Sequence, residues 1–279
     1  VLKEYVNFDN SEFTNTLEQK GFHVAENSYT NYSDTGISIS STMNMDYLNF
    51  LADEFGEDSR DYNPILGKDY GLYPDNQVIK NFKSMGYKTV KLGTAPKYPH
   101  ELPLVDLSPC YKSIHLMDNK LLNAVGSTSM IGYFIERWSE EQQRQIVLCN
   151  FEELPKISGY FEEPVFVWSH IMIPHYPLIF GPNGESVTPG QSIITMNHPE
   201  YTSSGWDIKT QFMQQTQFAN KKSIEFVDKI LENEKQSIII IQSDHGSAFG
   251  VNLQDPTDDD AFQKLSNLSA IYFPDEKHR

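Results

Sequence analysis

The clearest hydrophobic pattern in the chain is the run SIIIIQ at 237–242, apolar without alternation and bounded by polar residues. A continuous run of β-branched residues predicts a central strand covered on both faces. PVFVWSHIMI at 164–173 and LSAIYF at 268–273 read as further buried strands. YKTVKL at 87–92 and FHVAEN at 22–27 add two shorter ones.

Between these runs the spacing turns helical. Residues 9–20 predict a helix opened by Asp9 or Asn10 and stopped at Gly21. Ile37, Met43, Tyr47, Leu48 and Leu51 give a mostly helical period over 36–51. Residues 75–85 (ended by Gly86), 129–148 and the amphipathic stretch 206–233 complete the helices. Strands alternating with helices predict a layered α/β fold: a three-layer sandwich with a mostly parallel central sheet and helices on both faces. In it, strands 87–92, 164–172 and 237–242 are expected as core neighbours, with 268–273 beside them. Residues 52–72 read as an acidic surface loop, and 93–128 as irregular and proline-broken. The loop 180–205, rich in Gly, Pro, Asn and Ser, is expected to flank a site, because a connection that long is usually functional. No repeat or low-complexity segment divides the chain, and residues 1–279 read as a single domain.

Composition narrows the function. With 39% hydrophobic and 13% aromatic residues the chain is globular in type. No apolar run approaches the roughly 18 residues of a bilayer span. The net charge of −16 argues against nucleic acid as a partner, since phosphate backbones are bound by a surplus of Lys and Arg. An acidic chain that binds an anionic substrate needs a local cation, either a metal or a small basic pocket. Cys110 and Cys149 have no metal-site spacing; they are two buried thiols or one long-range disulfide.

Three blocks carry candidate chemistry. After SIIIIQ, Asp244 and His245 stand at the carboxyl end of a strand, where α/β sheets bind ligands, and a carboxylate beside an imidazole suits a divalent metal. The plainer reading is a polar turn. The block 26–45, ENSYTNYSDTGISISSTMNM, places hydroxyls directly before a helix. There a Thr or Ser can act as a nucleophile beside the helix amides, or Ser33, Asp34 or Thr35 can simply cap the helix. SHIMIPHYP at 169–177 brings His170 and His175 to the end of another strand, as site residues or as ordinary structural histidines.

These blocks, in this order and spacing, resemble the alkaline phosphatase–sulfatase superfamily. The nearest branch is its membrane-anchored, sulfatase-like one, with lipoteichoic acid synthases and phosphoethanolamine transferases. The resemblance covers most of the chain, and SDHG after an apolar strand is its most specific part. It implies Thr35 as nucleophile and metal ligand, Asp244 and His245 as metal ligands, and His175 as the histidine facing the transferred phosphoryl group. His170 receives no role. Thr35, His175, Asp244 and His245 are then expected to converge on one pocket, with Thr35 within about 10 Å of Asp244.

The departures refine that expectation. Sulfatases of this superfamily make a formylglycine within a Cys/Ser-x-Pro-x-Arg motif, whereas Thr35 lies in TGISIS. Phosphoryl transfer, to or from phosphodiesters, is therefore favoured over sulfate-ester hydrolysis. Two-metal relatives carry Asp and His where this chain aligns Asn220 and Ile224, so the resemblance implies one divalent ion: Mn, Mg, Ca or Zn. Relatives also begin with a buried strand ending in an acidic ligand, which would precede Val1, and continue beyond the equivalent of Arg279. The chain is read as a catalytic region without those pieces, and a sulfatase-like binding module without catalysis is the alternative. The implied partners are a phosphate- or sulfate-ester substrate such as a lipid head group or a cell-envelope polymer. The implied location is extracytoplasmic, with any membrane anchor outside this sequence.

Overall fold

A computed structural model describes residues 2–56, 72, 75–93, 104–110, 130–187, 208–234, 236–247 and 257–275. Among these the chain is mixed α/β. The order is α1 (Leu2–Tyr5), α2 (Ser11–Gln19), β1 (Phe22–Val24), α3 (Thr35–Asn44), α4 (Phe50–Phe55), α5 (Gln77–Ser84) and β2 (Lys88–Gly93). Then come α6 (Met130–Glu153), a 3-10 segment (Leu154–Tyr160), β3 (Val165–His170), α7 (Ile208–Asn233), β4 (Ile239–Gln242), α8 (Asp258–Leu265) and β5 (Ser269–Tyr272). The helix starts have local causes. Asn76 accepts from the Ile79 amide at 2.9 Å to open α5. Thr257 and Asp260 form a reciprocal capping box on α8.

The strands divide into two small sheets. β2 and β3 are parallel, in register from Lys88 opposite Val165 to Gly93 opposite His170. β5 lies between β1 and β4 and is antiparallel to both. The single, mostly parallel sheet expected from the sequence is therefore not what the described residues form. Nor is β4 covered on both faces. Ile239 is buried, but Ile238 and Ile240, whose side chains point to the opposite face, are 60% and 61% exposed.

Helices do pack on both faces of the β2–β3 pair. Phe166 and Trp168 meet Ile39 and Met43 of α3 and Ile79 of α5. Val165 and Val167 turn the other way, to Val90, Leu92, Cys110 and Ile157. The period-2 alternation of VFVWSH thus feeds two cores. The main core sits on one face of the other sheet, where Phe13, Leu17, Val147, Phe151, Phe218 and Val227 cover Phe22, Ile239, Ala270 and Tyr272.

Several boundaries differ from the sequence pattern: α6 runs on to Glu153, and α4 takes up the start of the segment 52–72 expected as a loop, of which 57–71 lie outside the described residues. The helical period over 36–51 is broken, since α3 ends at Met45 with φ 57°, a left-handed cap, before α4 starts at Phe50. The long loop opens with a described turn closed by Phe180 and Ser186, and 188–205 lies outside the described residues, as does most of 93–128. Cys110 and Cys149 form a disulfide that ties the segment after β2 to α6. No helix among the described residues is long and apolar enough to cross a membrane.

Candidate active site

α3 and the loop after β4 meet end to end. Asp34 caps α3, its carboxylate accepting from the Gly36 amide at 2.9 Å, so capping falls to Asp34 and Thr35 is the first helical residue. Thr35 Oγ1 then lies 3.1 Å from His245 Nε2. Its hydroxyl is also near enough to the Asp244 carboxylate to help hold that carboxyl's pKa down. Asp244 Oδ2 and His245 Nε2 are 3.7 Å apart.

Buried hydroxyls hold this register. Ser38, one turn along α3, donates to the Asp244 carbonyl at 2.6 Å and pairs with Thr30 at 2.6 Å. On the far side the Gly246 amide donates to the Lys264 carbonyl at 2.8 Å. A Cβ on Gly246 would come 2.0 Å from the Gln263 carbonyl oxygen, so only glycine lets the loop lie this close to the end of α8. The need for glycine comes from the protein backbone here, not from a ligand.

His245 Nδ1 is 2.7 Å from the Gly246 carbonyl, which can only accept. Nδ1 therefore carries the hydrogen, and neutral His245 presents a lone pair at Nε2. Asp244 adds carboxylate lone pairs. Thr35 has one proton and cannot donate to both. Thr35, Asp244 and His245 are the groups here that could serve a cation as ligands. Among the described residues, however, no group of three or more His, Cys, Asp or Glu side chains is arranged to hold a metal. The three-ligand set is complete only by counting the hydroxyl.

Charge is managed locally. Burial alone would push the Asp244 carboxyl up, but positive charge on the His245 ring, when it is protonated, the nearby Thr35 hydroxyl and charge on His170 hold it below the usual carboxylate range. His170, at the end of β3, is shifted down by burial, against the pull of Asp244; Lys91, His175 and His245 push the same way as burial. Lys264 of α8 is lowered by burial while Asp34 and Asp244 pull it back up, which places a cation beside the pair.

His175 stands further out. It is exposed, and its Nδ1 lies 2.7 Å from the Tyr176 carbonyl. Its loop is clamped by two residues that pattern reading does not single out. Gln215 of α7 accepts from the Ile179 and Phe180 amides and donates to the His175 carbonyl at 2.9 Å. Arg144 of α6 donates to the Ile179 and Gly184 carbonyls and lies over the Phe180 ring. A buried Gln within an amphipathic helix was the one available signal for the first. Asn220 is occupied elsewhere, donating to Asn10 at the start of α2.

No family model and no curated protein matches the chain. Among solved structures the fold is similar to Ps i-CgsB in complex with k-i-k-neocarrahexaose, at TM-score 0.50 and 11% identity, over 94% of this chain and 60% of that one. It is equally similar to Ps i-CgsB alone, at TM-score 0.50 and 12% identity over the same shares. This chain thus spans 60% of the length of these structures, and the relationship is one of fold.

Proposed function

We propose that the chain is the catalytic region of a metal-dependent enzyme that hydrolyses or transfers phosphate esters, phosphodiesters foremost, through Thr35. The observation that carries this reading is the meeting of Thr35, Asp244 and His245 from opposite ends of the sequence. Thr35 sits at the first turn of α3, where helix amides favour the negative charge its oxygen gains. A divalent ion held by Thr35, Asp244 and His245 would stabilise the alkoxide and the oxygens of the transferred group. Asp244 and His245 hold their lone pairs against the Thr35 hydroxyl and fix its direction. Ser38 and Gly246 keep those two residues in place. Thr35 Oγ forms the new bond to phosphorus as the bond to the leaving oxygen breaks. Water then attacks the phosphothreonine and releases Thr35, or an acceptor alcohol takes the group. His175, with Nδ1–H spent on Tyr176, can donate to a phosphoryl oxygen only in its cationic form.

The same reading assigns both sheets to one alkaline phosphatase-like sandwich. It also places the protein outside the cytoplasm, a setting that suits the Cys110–Cys149 disulfide. The test is turnover of an aryl phosphodiester and of an aryl sulfate by one metal-supplemented preparation. Phosphodiester turnover should dominate and fall by roughly 10³-fold or more in Thr35→Ala, as for loss of other covalent nucleophiles. Undiminished turnover in that variant, or a preference for the sulfate, would sink the reading.

A further inference from the structure

The loop that carries Asp244 leaves its sheet in an irregular way. β4 and β5 are antiparallel, with Ile239 opposite Tyr272 and Gln242 opposite Ser269. One step further Ser243 faces Leu268, and the Ser243 amide donates to the Leu268 carbonyl at 3.0 Å. In a regular antiparallel pair the Leu268 amide would return the bond to the Ser243 carbonyl. It donates to the Ser243 hydroxyl instead, at 2.9 Å. The hydroxyl thus completes the ladder, and the Ser243 carbonyl is turned out of it. That carbonyl accepts from Asn267 Nδ2 at 2.9 Å.

This exchange of acceptors acts directly on Asp244. The direction of the Ser243 carbonyl fixes the plane of the peptide that leads into Asp244, and with it the direction of the Asp244 side chain. The peptide that leaves Asp244 is fixed too, by the bond from Ser38 to the Asp244 carbonyl at 2.6 Å. Asp244 is therefore held from both sides by side chains, Asn267 before it and Ser38 after it. A carbonyl only accepts, so the Asn267 carboxamide must turn its nitrogen to Ser243. That orientation leaves Oδ1 buried without a hydrogen-bond partner among the described residues, so Asn267 is placed for its donor and not for its acceptor. Its backbone is pinned as well, the amide donating to the Ser28 carbonyl at 3.0 Å.

We propose that Ser243 and Asn267 are a positioning pair, which turns the chain out of the β4–β5 ladder at the residue before Asp244 and so aims the Asp244 carboxylate toward Thr35 in the candidate metal site. This rests on the metal-dependent reading above and extends it to two residues that act through Asp244. Ser243→Ala removes the hydroxyl and leaves the Leu268 amide free to take the Ser243 carbonyl, as in an ordinary ladder. The fold then keeps its hydrogen bond, but the peptide ahead of Asp244 rotates back into the sheet. One substitution thereby separates stability from site geometry. Ser243→Thr keeps the hydroxyl and should keep the site. Asn267→Asp keeps the shape but sets a carboxylate, which has no donor, against the Ser243 carbonyl.

Two measurements test the pair. The first is Mn²⁺ affinity by isothermal titration calorimetry. Ser243→Ala and Asn267→Asp should weaken it roughly 10- to 100-fold, as loss of a ligand's supporting partner does. Ser243→Thr should bind as wild type does. The metal-free melting temperature of Ser243→Ala should stay within about 3 °C of wild type. The second measurement, made without metal, is the NMR coupling carried across a hydrogen bond from an amide nitrogen to a carbonyl carbon. Between Leu268 and Ser243 it should be absent in wild type and appear in Ser243→Ala. Full Mn²⁺ affinity in Ser243→Ala, or equal losses in Ser243→Ala and Ser243→Thr, overturns the proposal. So does a coupling between Leu268 and Ser243 already present in wild type. A wild-type protein that binds no Mn²⁺ sinks the metal-dependent reading. The coupling alone then decides, its appearance in Ser243→Ala supporting the pair and its absence there overturning it.

Discussion

The Oγ1 of Thr35 lies 3.1 Å from Nε2 of His245, although 210 positions separate the two residues in the chain. One comes from the start of a helix and the other from a loop after a strand, and Ser38 bonds the two elements together. The contact is therefore set by the fold, and it leaves more lone pairs than protons. Added Mn²⁺ should raise the melting temperature, since a ligand at about 100 times its dissociation constant contributes about 2.7 kcal/mol. Asp244→Asn and His245→Ala should abolish the rise, and Thr35→Ala should reduce it. EDTA should reverse it in the wild type. A metal-induced rise that survives in the Asp244 and His245 variants would place the ion elsewhere.

Gln215 gives a second prediction. Its side chain satisfies the Ile179 and Phe180 amides and the carbonyl of His175 while fully buried. Gln215→Leu keeps the volume but strands two buried amides, at about 1–3 kcal/mol for each unsatisfied group. The variant should lose on the order of 2–4 kcal/mol in urea unfolding. It should also mobilise the His175 loop, seen as faster exchange at 178–180. A loss below about 0.5 kcal/mol would show that solvent replaces the side chain freely.

What could be read from the sequence follows from the range of the forces involved. Strands at 88–93, 165–170 and 269–272 were legible because β-branched and aromatic residues are concentrated there between turn signals. The Asp244–His245 pair was legible because it follows such a run. The open face of β4 was not, since SIIIIQ reads the same whether one face or both are covered. The break at Met45 was hidden because its cause is partly tertiary: Asn44 donates to the Leu72 carbonyl at 2.7 Å, far off in sequence. Gln215 and Lys264 escaped for a similar reason. Each looks like an ordinary helix residue until the loop it faces has been placed.

The disulfide allows a third prediction. Cys110 and Cys149 close a loop across 39 positions and sit within the core formed with Val90, Leu92 and Ile157. Loop-closure entropy for such a ring gives roughly 3–4 kcal/mol. The paired Cys110→Ser and Cys149→Ser variant should lose about 2–4 kcal/mol of stability. Intact-mass measurement under non-reducing conditions should give the mass of the oxidised pair. Free thiols in protein secreted through an oxidising compartment would contradict the pairing.

Lys91 makes stability depend on pH in the alkaline range. It lies in β2 behind Val90 and Leu92, 9% exposed, and burial pushes its amine down from 10.5 to about 8. The folded protein therefore binds fewer protons than the unfolded chain between about pH 8 and 10.5. Stability contributed by this residue rises with pH across that window and is lost as pH falls back through the folded value. Below it, Lys91 is charged in both states and the desolvation cost is constant. Lys91→Met removes the group that is costly to bury, so the variant should gain most over wild type at pH 7. The gain should shrink by on the order of 2 kcal/mol by pH 10, since each tenfold loss of proton affinity on folding is worth about 1.4 kcal/mol. Urea unfolding of both proteins at pH 7, 8.5 and 10 measures it, and the difference between them isolates Lys91 from the other groups that titrate there. Parallel stability curves across the three pH values would mean that the Lys91 amine keeps its ordinary affinity for protons inside β2.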